Sequence, residues 1–184
     1  MKNSFLKYIV FTALIFLSIF SLSTFSFAEK IAVGSPMPAF KVSSGANEVL
    51  TSNDIQGKVT VLFYEWKEAV EDNRKLKTAL NDFYAGEPDS LKKDIMKVAV
   101  VNCRGVIFTG IWKSALRDVS AKEGLTIYGD WDGKMAAALG VAQGTSNVFI
   151  IDTKGIVRYF GSGKSDDKEI NAIETLLASF KSGN

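Results

Sequence analysis

The 184-residue chain carries 22 basic and 20 acidic side chains, without a basic tract interleaved with aromatics, which argues against nucleic acid as a partner. It contains no histidine, which excludes Ser-His-Asp and Cys-His nucleophile activation and removes the commonest zinc ligand. Its only cysteine, Cys103, excludes an intramolecular disulfide and any mechanism that needs a dithiol within the chain.

Residues 1–28 have the pattern of a cleaved signal peptide. Lys2 and Lys7 precede an apolar run over residues 8–22, and the small-residue sequence SFA ends at Ala28. The alternative is an uncleaved N-terminal anchor, because the apolar run is long, although several serines weaken it. Both interpretations predict export. Cleavage after Ala28 predicts a periplasmic or secreted protein without stable membrane insertion, whose residues 29–184 suffice for one domain.

The first half of the mature chain predicts an extended segment, a turn-rich stretch that ends with SNDIQGK, a buried strand and a helix. Prolines in VGSPMPAF favour extended backbone, and VTVLFY, residues 59–64, is apolar enough for a central strand covered on both faces. Glu71 and Lys75 have the i,i+4 spacing of a helical ion pair, and Gly86 ends the helix. Apolar residues then recur at helical spacing: Val70, Leu76, Leu80, Phe83 and Tyr84.

The second half alternates strands and helices and closes with a hairpin. KVAVVN is a buried strand, Ile111 to Val119 form an amphipathic helix that ends at Gly124, and LTIYGDWDG and KMAAALG give a short strand and a short helix. NVFIID, TKG and IVRYF form the strongest hairpin signal, and a last helix follows. This order predicts an α/β sandwich with a central mixed sheet.

The sequence resembles the redoxin or TlpA-like branch of the thioredoxin fold. The resemblance rests on GSPMPAF, DIQGKVTVLFYEW and LGVAQGTSNVFIIDTKGIVRYFGSG, and it covers residues 33–180. It implies a thioredoxin-like α/β sandwich over residues 29–184. The segment GDWDGKMAAALGV is also similar to the small exported YtfJ-like group, whose members share this fold and lack the usual cysteine pair.

The functional positions of that family are altered in this chain. The Cys-x-x-Cys positions fall on Ala69 and Asp72, and the place of the family's cis-proline is occupied by Ser146. A cis bond before a residue other than proline costs about 2.5–4 kcal/mol, so we expect a trans or otherwise altered loop there. The nucleophile of disulfide exchange is a thiolate, and neither alanine nor aspartate can replace it. We therefore expect a redox-inactive domain, and we predict no cofactor.

Cys103 supports an alternative, a thiol-dependent oxidoreductase or peroxidase. Arg104 follows it directly, and a neighbouring cation can lower a thiol pKa. The peroxidase branch, however, places its cysteine near the start of the first helix, beside proline and threonine residues that are absent here. We therefore favour a part-buried, inert thiol.

Two short motifs match known ligand sites only in part. The sequence Gly163-Lys164-Ser165 ends like a phosphate-binding loop, but Arg158 stands where the first glycine is required, so Ser165 or Asp166 is better explained as a helix cap. DWDG starts like a calcium loop whose later acidic ligands are missing, so Asp132 is expected to cap the next helix. We predict no metal site and no bound nucleotide.

The acidic stretch EWKEAVED occupies the place of the family's active site. Carboxylates in a first helical turn are also favoured by the helix dipole without any function. If this end of the sheet binds a partner, we expect Glu65, Trp66, Glu68 and Ser146 to form the binding surface, and Trp66 to be a contact residue rather than a core plug. The sequence thus favours a non-catalytic domain that binds or assists another exported protein.

Overall fold

The computed structural model of the protein describes residues 31–180, apart from the side chains of residues 90 and 91. The predicted signal peptide and its cleavage point lie outside these residues. Within the described range, none of the helices combines the length and the hydropathy that a membrane crossing requires.

Seven strands form one mixed sheet. In chain order they are β1 (Lys41–Ser44), β2 (Val49–Thr51), β3 (Val59–Trp66), β4 (Ile95–Asn102), β5 (Ile127–Asp130), β6 (Ser146–Ile151) and β7 (Val157–Ser162). Their order across the sheet is β2-β1-β5-β4-β3-β6-β7. Strands β3, β4 and β5 are parallel, and the other neighbouring pairs are antiparallel. The predicted mixed sheet and its hairpin of β6 and β7 are confirmed.

Five α-helices cover the sheet within the described residues. They are α1 (Arg74–Gly86), α2 (Asp89–Lys92), α3 (Thr109–Glu123), α4 (Lys134–Leu139) and α5 (Asp167–Ser179), and a 3-10 helix (Lys67–Ala69) precedes α1. Gly124 ends α3 with φ 61°, a left-handed conformation that glycine adopts without steric cost. Asp166 caps α5 in a reciprocal capping box with Glu169.

Alternation along the central strands divides the core between two faces. On one face, side chains such as Leu62, Tyr64 and Phe149 pack with α4 and the N-terminal segment. On the other, side chains such as Val61 and Val148 pack with α1 and α5. Because β3 is buried along almost its whole length, its apolar run behaves as predicted for a strand covered on both sides.

Three local predictions were wrong. Strands β1 and β2 lie in the stretch read as turns, because their pairing with each other and with β5 is a long-range contact. Helix α1 begins only at Arg74, so the residues before it form a 3-10 turn rather than a first helical turn. Glu71 consequently pairs with Arg74, and Lys75 pairs with Asp167 of α5 instead.

Candidate functional site

Glu65 lies at the end of β3 in a buried polar cluster. Its Oε1 accepts a hydrogen bond of 2.6 Å from Ser146 Oγ, and its Oε2 accepts one of 2.7 Å from Lys77 Nζ. The ladder between β3 and β6 pairs Glu65 with Ser146 directly, which brings together the two segments that the sequence analysis expected to meet. The same lysine also donates to the Val70 carbonyl at 2.9 Å.

Asn73 joins this cluster to the loop before α5. Its Nδ2 donates to Ser146 Oγ and to the Gly163 carbonyl, both at 2.9 Å, and its Oδ1 accepts from the Ser165 amide at 3.0 Å. Asn73 stands at the N-cap position of α1, yet its side chain makes no capping bond. Its amide is bonded instead to these residues, which are distant in the sequence. One buried amide therefore ties three separate chain segments together.

Burial determines how Glu65 titrates. The side chain is 3% exposed, and this desolvation raises the pKa of Glu65, although Lys77 and the Ser146 hydroxyl both act to lower it. We attribute the net direction to desolvation because water cannot reach the carboxylate to stabilise its charge. The ionised form is thus tolerated only through its two hydrogen-bond donors.

The structure corrects the expected roles of Glu65 and Ser146 as surface contacts. Ser146 has no exposed surface and is bonded to Glu65 and Asn73. Glu65 is 3% exposed and is bonded to Ser146 and Lys77. Ser146 is the first residue of β6, and no cis peptide bond occurs among residues 31–180. The hydrogen bond between these side chains joins β3 to β6, and neither side chain presents a surface to solvent.

Trp66 and Glu68 are the accessible members of the predicted surface. Trp66 is half-buried and meets the Tyr64 ring edge-on, with a centroid distance of 5.5 Å. Glu68 is exposed in the 3-10 turn, and a Cβ placed on Gly144 would lie 3.9 Å from its Oε1. These two side chains remain the predicted contacts at this edge.

Replacing Trp66 with alanine is expected to lower the free energy of unfolding by about 2 kcal/mol. Truncation of a fully buried aromatic side chain costs about 3–5 kcal/mol. We expect a smaller loss here because part of the indole ring is already in water. The edge-to-face pair with Tyr64 contributes about 1 kcal/mol of the loss. Urea unfolding of Trp66→Ala measures this. A loss above about 4 kcal/mol would instead identify Trp66 as a core plug.

The two Cys-x-x-Cys positions differ in burial. Ala69 is 2% exposed at the end of the 3-10 helix, whereas Asp72 is exposed before α1. The Asp72 amide donates to the Ala69 carbonyl at 3.1 Å, and no side-chain hydrogen bond or ion pair of Asp72 occurs within the described part of the chain. Neither position offers a nucleophile to a disulfide.

Cys103 is shielded from solvent. It is 1% exposed just after β4, and its amide donates to the Asp130 carbonyl at 3.0 Å. Desolvation, with a smaller contribution from the Asp130 charge, raises the pKa of the Cys103 thiol to about 11. The adjacent Arg104 therefore does not activate it, and the thiol stays protonated at neutral pH.

A second buried polar cluster escaped the sequence analysis. Tyr64 donates its hydroxyl hydrogen to Asp130 Oδ2 at 2.7 Å and accepts a hydrogen bond of 2.8 Å from Asn102 Nδ2. The Ala136 amide also donates to Asp130 Oδ2, at 3.0 Å, so Asp130 helps to position α4. The prediction that Asp132 caps this helix was wrong, because the N-cap residue is Gly133; Asp132 precedes it and accepts a hydrogen bond of 3.1 Å from the Lys134 amide. Only tertiary structure brings Tyr64 and Asp130 together.

An apolar surface patch lies beyond the end of β4 and was also missed. Ile107, Phe108 and Ile111 are 86%, 67% and 68% exposed, and Lys67, Arg104 and Trp112 line the adjoining surface. Exposed apolar patches of this kind often mark interaction sites. The sequence signal was the apolar group VIF between Gly105 and Gly110, but helical periodicity assigned Ile111 to the core instead.

No group of three or more potential metal ligands occurs within residues 31–180. The described residues thus offer no constellation on which to build a metal centre.

Comparison with solved structures identifies the architecture. A protein from Chlorobium tepidum, assigned as a thiol:disulfide interchange protein DsbE, superimposes with a TM-score of 0.61 and 23% identity, covering 82% of this chain and 98% of the other. The thiol peroxidase from Chromobacterium violaceum gives a TM-score of 0.61 at 12% identity, with 83% and 90% coverage. The exposed lipoprotein thioredoxin from Streptococcus pneumoniae gives 0.54 at 18% identity, with 77% and 98% coverage.

The chain has the thioredoxin-like fold. These similar structures are redoxin- and DsbE-like proteins, as the sequence resemblance implied. No protein-family model matches the sequence, and no curated protein matches it. Within the thioredoxin-like fold of this chain, the buried Glu65–Ser146 pair lies at the junction of β3 and β6.

Proposed function

We propose that this protein is an exported thioredoxin-like domain without a redox dithiol, which binds or assists another protein of the cell envelope. One observation carries the proposal: the only thiol in the chain is buried and has a raised pKa. Disulfide exchange needs an accessible thiolate to attack and a second thiol to resolve the mixed disulfide. This chain has neither at the positions of Ala69 and Asp72.

The carboxyl end of the parallel strands supports a binding role. Trp66 and Glu68 are accessible there, and the apolar patch formed by Ile107, Phe108 and Ile111 follows the neighbouring strand β4. Ligands of open α/β sheets commonly bind beyond this end of the strands. An exported protein partner would cover apolar side chains that are otherwise left in water.

The sequence supports the proposed export. Residues 1–28 have the signal-peptide pattern, and one structurally similar protein is described as an exposed lipoprotein. The similarity of GDWDGKMAAALGV to the YtfJ-like group supports the same placement. Intact-mass measurement from a secreting host should give a soluble form beginning at Glu29. A mass that still includes residues 1–28 would favour the anchor.

The purified protein should be redox-inert. Insulin reduction and peroxide turnover are expected at background for both the wild type and Cys103→Ser, because the thiol stays protonated and inaccessible near pH 7. A disulfide reagent should label Cys103 slowly in the native protein and rapidly in urea. The melting temperature of the monomer should not change with reductant, since one cysteine closes no ring.

Cys103→Ser separates the two functional classes. Reductase or peroxidase activity clearly above background in the wild type, and absent from Cys103→Ser, would establish the thiol-dependent alternative. Equal background rates would leave the non-catalytic binding role as the proposal that accounts for the site.

A further inference from the structure

A groove of about 530 Å³ opens between α1 and α3, on the face of the sheet formed by β3 and β4. Its floor includes the apolar side chains of Phe63, Ala99 and Val101. Sites for small molecules in proteins commonly have volumes of about 300–1,000 Å³ and mostly apolar walls. In size and lining, the groove therefore suits a small apolar ligand.

The position of α3 explains why the groove is open. Arg117 of α3 donates to the Gly45 carbonyl at 2.9 Å, and Lys113 donates to Asn47 Oδ1 at 2.6 Å. A Cβ on Gly45 would lie 2.2 Å from the Lys113 carbonyl oxygen, so only glycine allows this close approach. These contacts hold α3 over the turn between β1 and β2, while α1 packs beside α5. Strand β4 is left partly uncovered between them.

Lys97 is the unusual residue of this floor. It lies on β4, the fourth of seven strands across the sheet, with Ala99 and Val101 following at the alternate positions of the same face. Its Nζ contacts Asn81 Oδ1 at 3.4 Å and lies 4.4 Å from the centre of the Tyr84 ring. No carboxylate in the described part of the chain forms a salt bridge with it.

The charges around the groove favour an anion. Five lysine and arginine side chains line it against three glutamates. Two of the positive side chains form ion pairs with two of the glutamates, Arg74 with Glu71 and Lys77 with Glu65. Three lysines and one glutamate of the lining remain, which leaves an excess of positive charge. From Lys97 to Val101 the strand extends the floor by about 13 Å, at about 3.3 Å per residue, which gives an apolar chain room beside the lysine.

We propose that this groove binds a single-chain amphiphile with an anionic head, a long-chain carboxylate, whose head group pairs with Lys97 and whose chain lies over Ala99 and Val101. A carboxylate gives the Lys97 ammonium a partner of opposite charge, which the described residues do not supply, and the chain covers apolar surface that is otherwise exposed to water. This site goes beyond the proposed function, because it involves neither a thiol nor the Trp66 edge.

Calorimetric titration of the full mature chain with dodecanoate, below its micelle concentration, tests the proposal. Saturable binding with one site per chain is expected, and dodecyltrimethylammonium, which has the same chain and a cationic head, should bind at least tenfold more weakly. Lys97→Met should weaken dodecanoate binding about tenfold, whereas Lys97→Arg should retain it. Lys168→Met removes an exposed lysine of α5 and should leave binding unchanged.

A second variant tests the chain-binding part of the groove. Ala99→Leu fills the floor with apolar volume and should abolish binding while circular dichroism and the melting temperature show a folded protein. The proposal is overturned if the wild type does not bind dodecanoate, if the cationic amphiphile binds equally well, or if Lys97→Met behaves like Lys168→Met. Binding to anionic vesicles without binding of free dodecanoate would also overturn it, in favour of a membrane-surface patch.

Discussion

Replacing Lys77 with methionine is expected to lower the free energy of unfolding by about 3 kcal/mol at pH 7. The substitution removes the ammonium that lies 2.7 Å from Glu65 Oε2 and leaves a buried carboxylate with only the Ser146 hydroxyl as donor. Removal of one partner of a buried ion pair costs about 3–5 kcal/mol. We expect the lower end because the Lys77 side chain is 32% exposed.

The cost of Lys77→Met should depend on pH. The pKa of Glu65 is raised in the folded protein, so the folded state holds this proton to a higher pH than the unfolded state does. The Glu65 contribution to stability therefore decreases as the pH rises from the ordinary glutamate pKa through the folded one. Loss of Lys77 raises the folded pKa further, so its cost should increase with pH and be small below pH 4.

Two variants serve as controls for the buried pair. Lys75 lies on the same helix and pairs with Asp167, and both of these side chains are more than half exposed. Lys75→Met should therefore lower the free energy of unfolding by less than about 1 kcal/mol. The double variant Glu65→Gln/Lys77→Met removes the buried charge and should recover most of the loss. Equal costs for Lys77→Met and Lys75→Met would contradict the assignment of Glu65 as a buried charge.

The Asn73→Ala substitution should cost about 3 kcal/mol. It deletes a side chain that is 1% exposed and leaves the Gly163 carbonyl and the Ser165 amide without their partner. Each buried polar group left unsatisfied costs about 1–3 kcal/mol. Because Asn73 connects α1, β6 and the loop before α5, the variant should also increase hydrogen exchange at the Ser165 amide.

Asn171→Ala is the matched control for Asn73→Ala. Asn171 lies on the exposed face of α5, where its side chain makes no hydrogen bond to another described residue, so its truncation should change stability by less than about 0.5 kcal/mol. Chemical denaturation of both variants gives the difference. A cost of Asn73→Ala below about 1 kcal/mol would show that water replaces the lost bonds and that the amide is not a structural tie.

The amino-acid sequence by itself determined the order of most elements and excluded a dithiol within this chain. Local sequence patterns predicted three features: the apolar run of β3, the hairpin of β6 and β7, and the helix cap at Asp166. Each of them depends on residues that are close together in the chain. The count of one cysteine and no histidine excluded dithiol and histidine-dependent chemistry before any contact was known.

Tertiary structure alone decided which side chains are exposed to solvent and which form buried hydrogen bonds or ion pairs. Glu65 and Ser146 are 81 positions apart, and only the ladder between β3 and β6 makes them buried partners instead of surface contacts. Ile111 has helical periodicity, but it is 68% exposed on α3, whose Arg117 bonds to the turn between β1 and β2. Lys97 lies half-buried on a central strand, at the groove between α1 and α3. Local patterns do not encode such placement, because it results from how separate elements pack on one sheet.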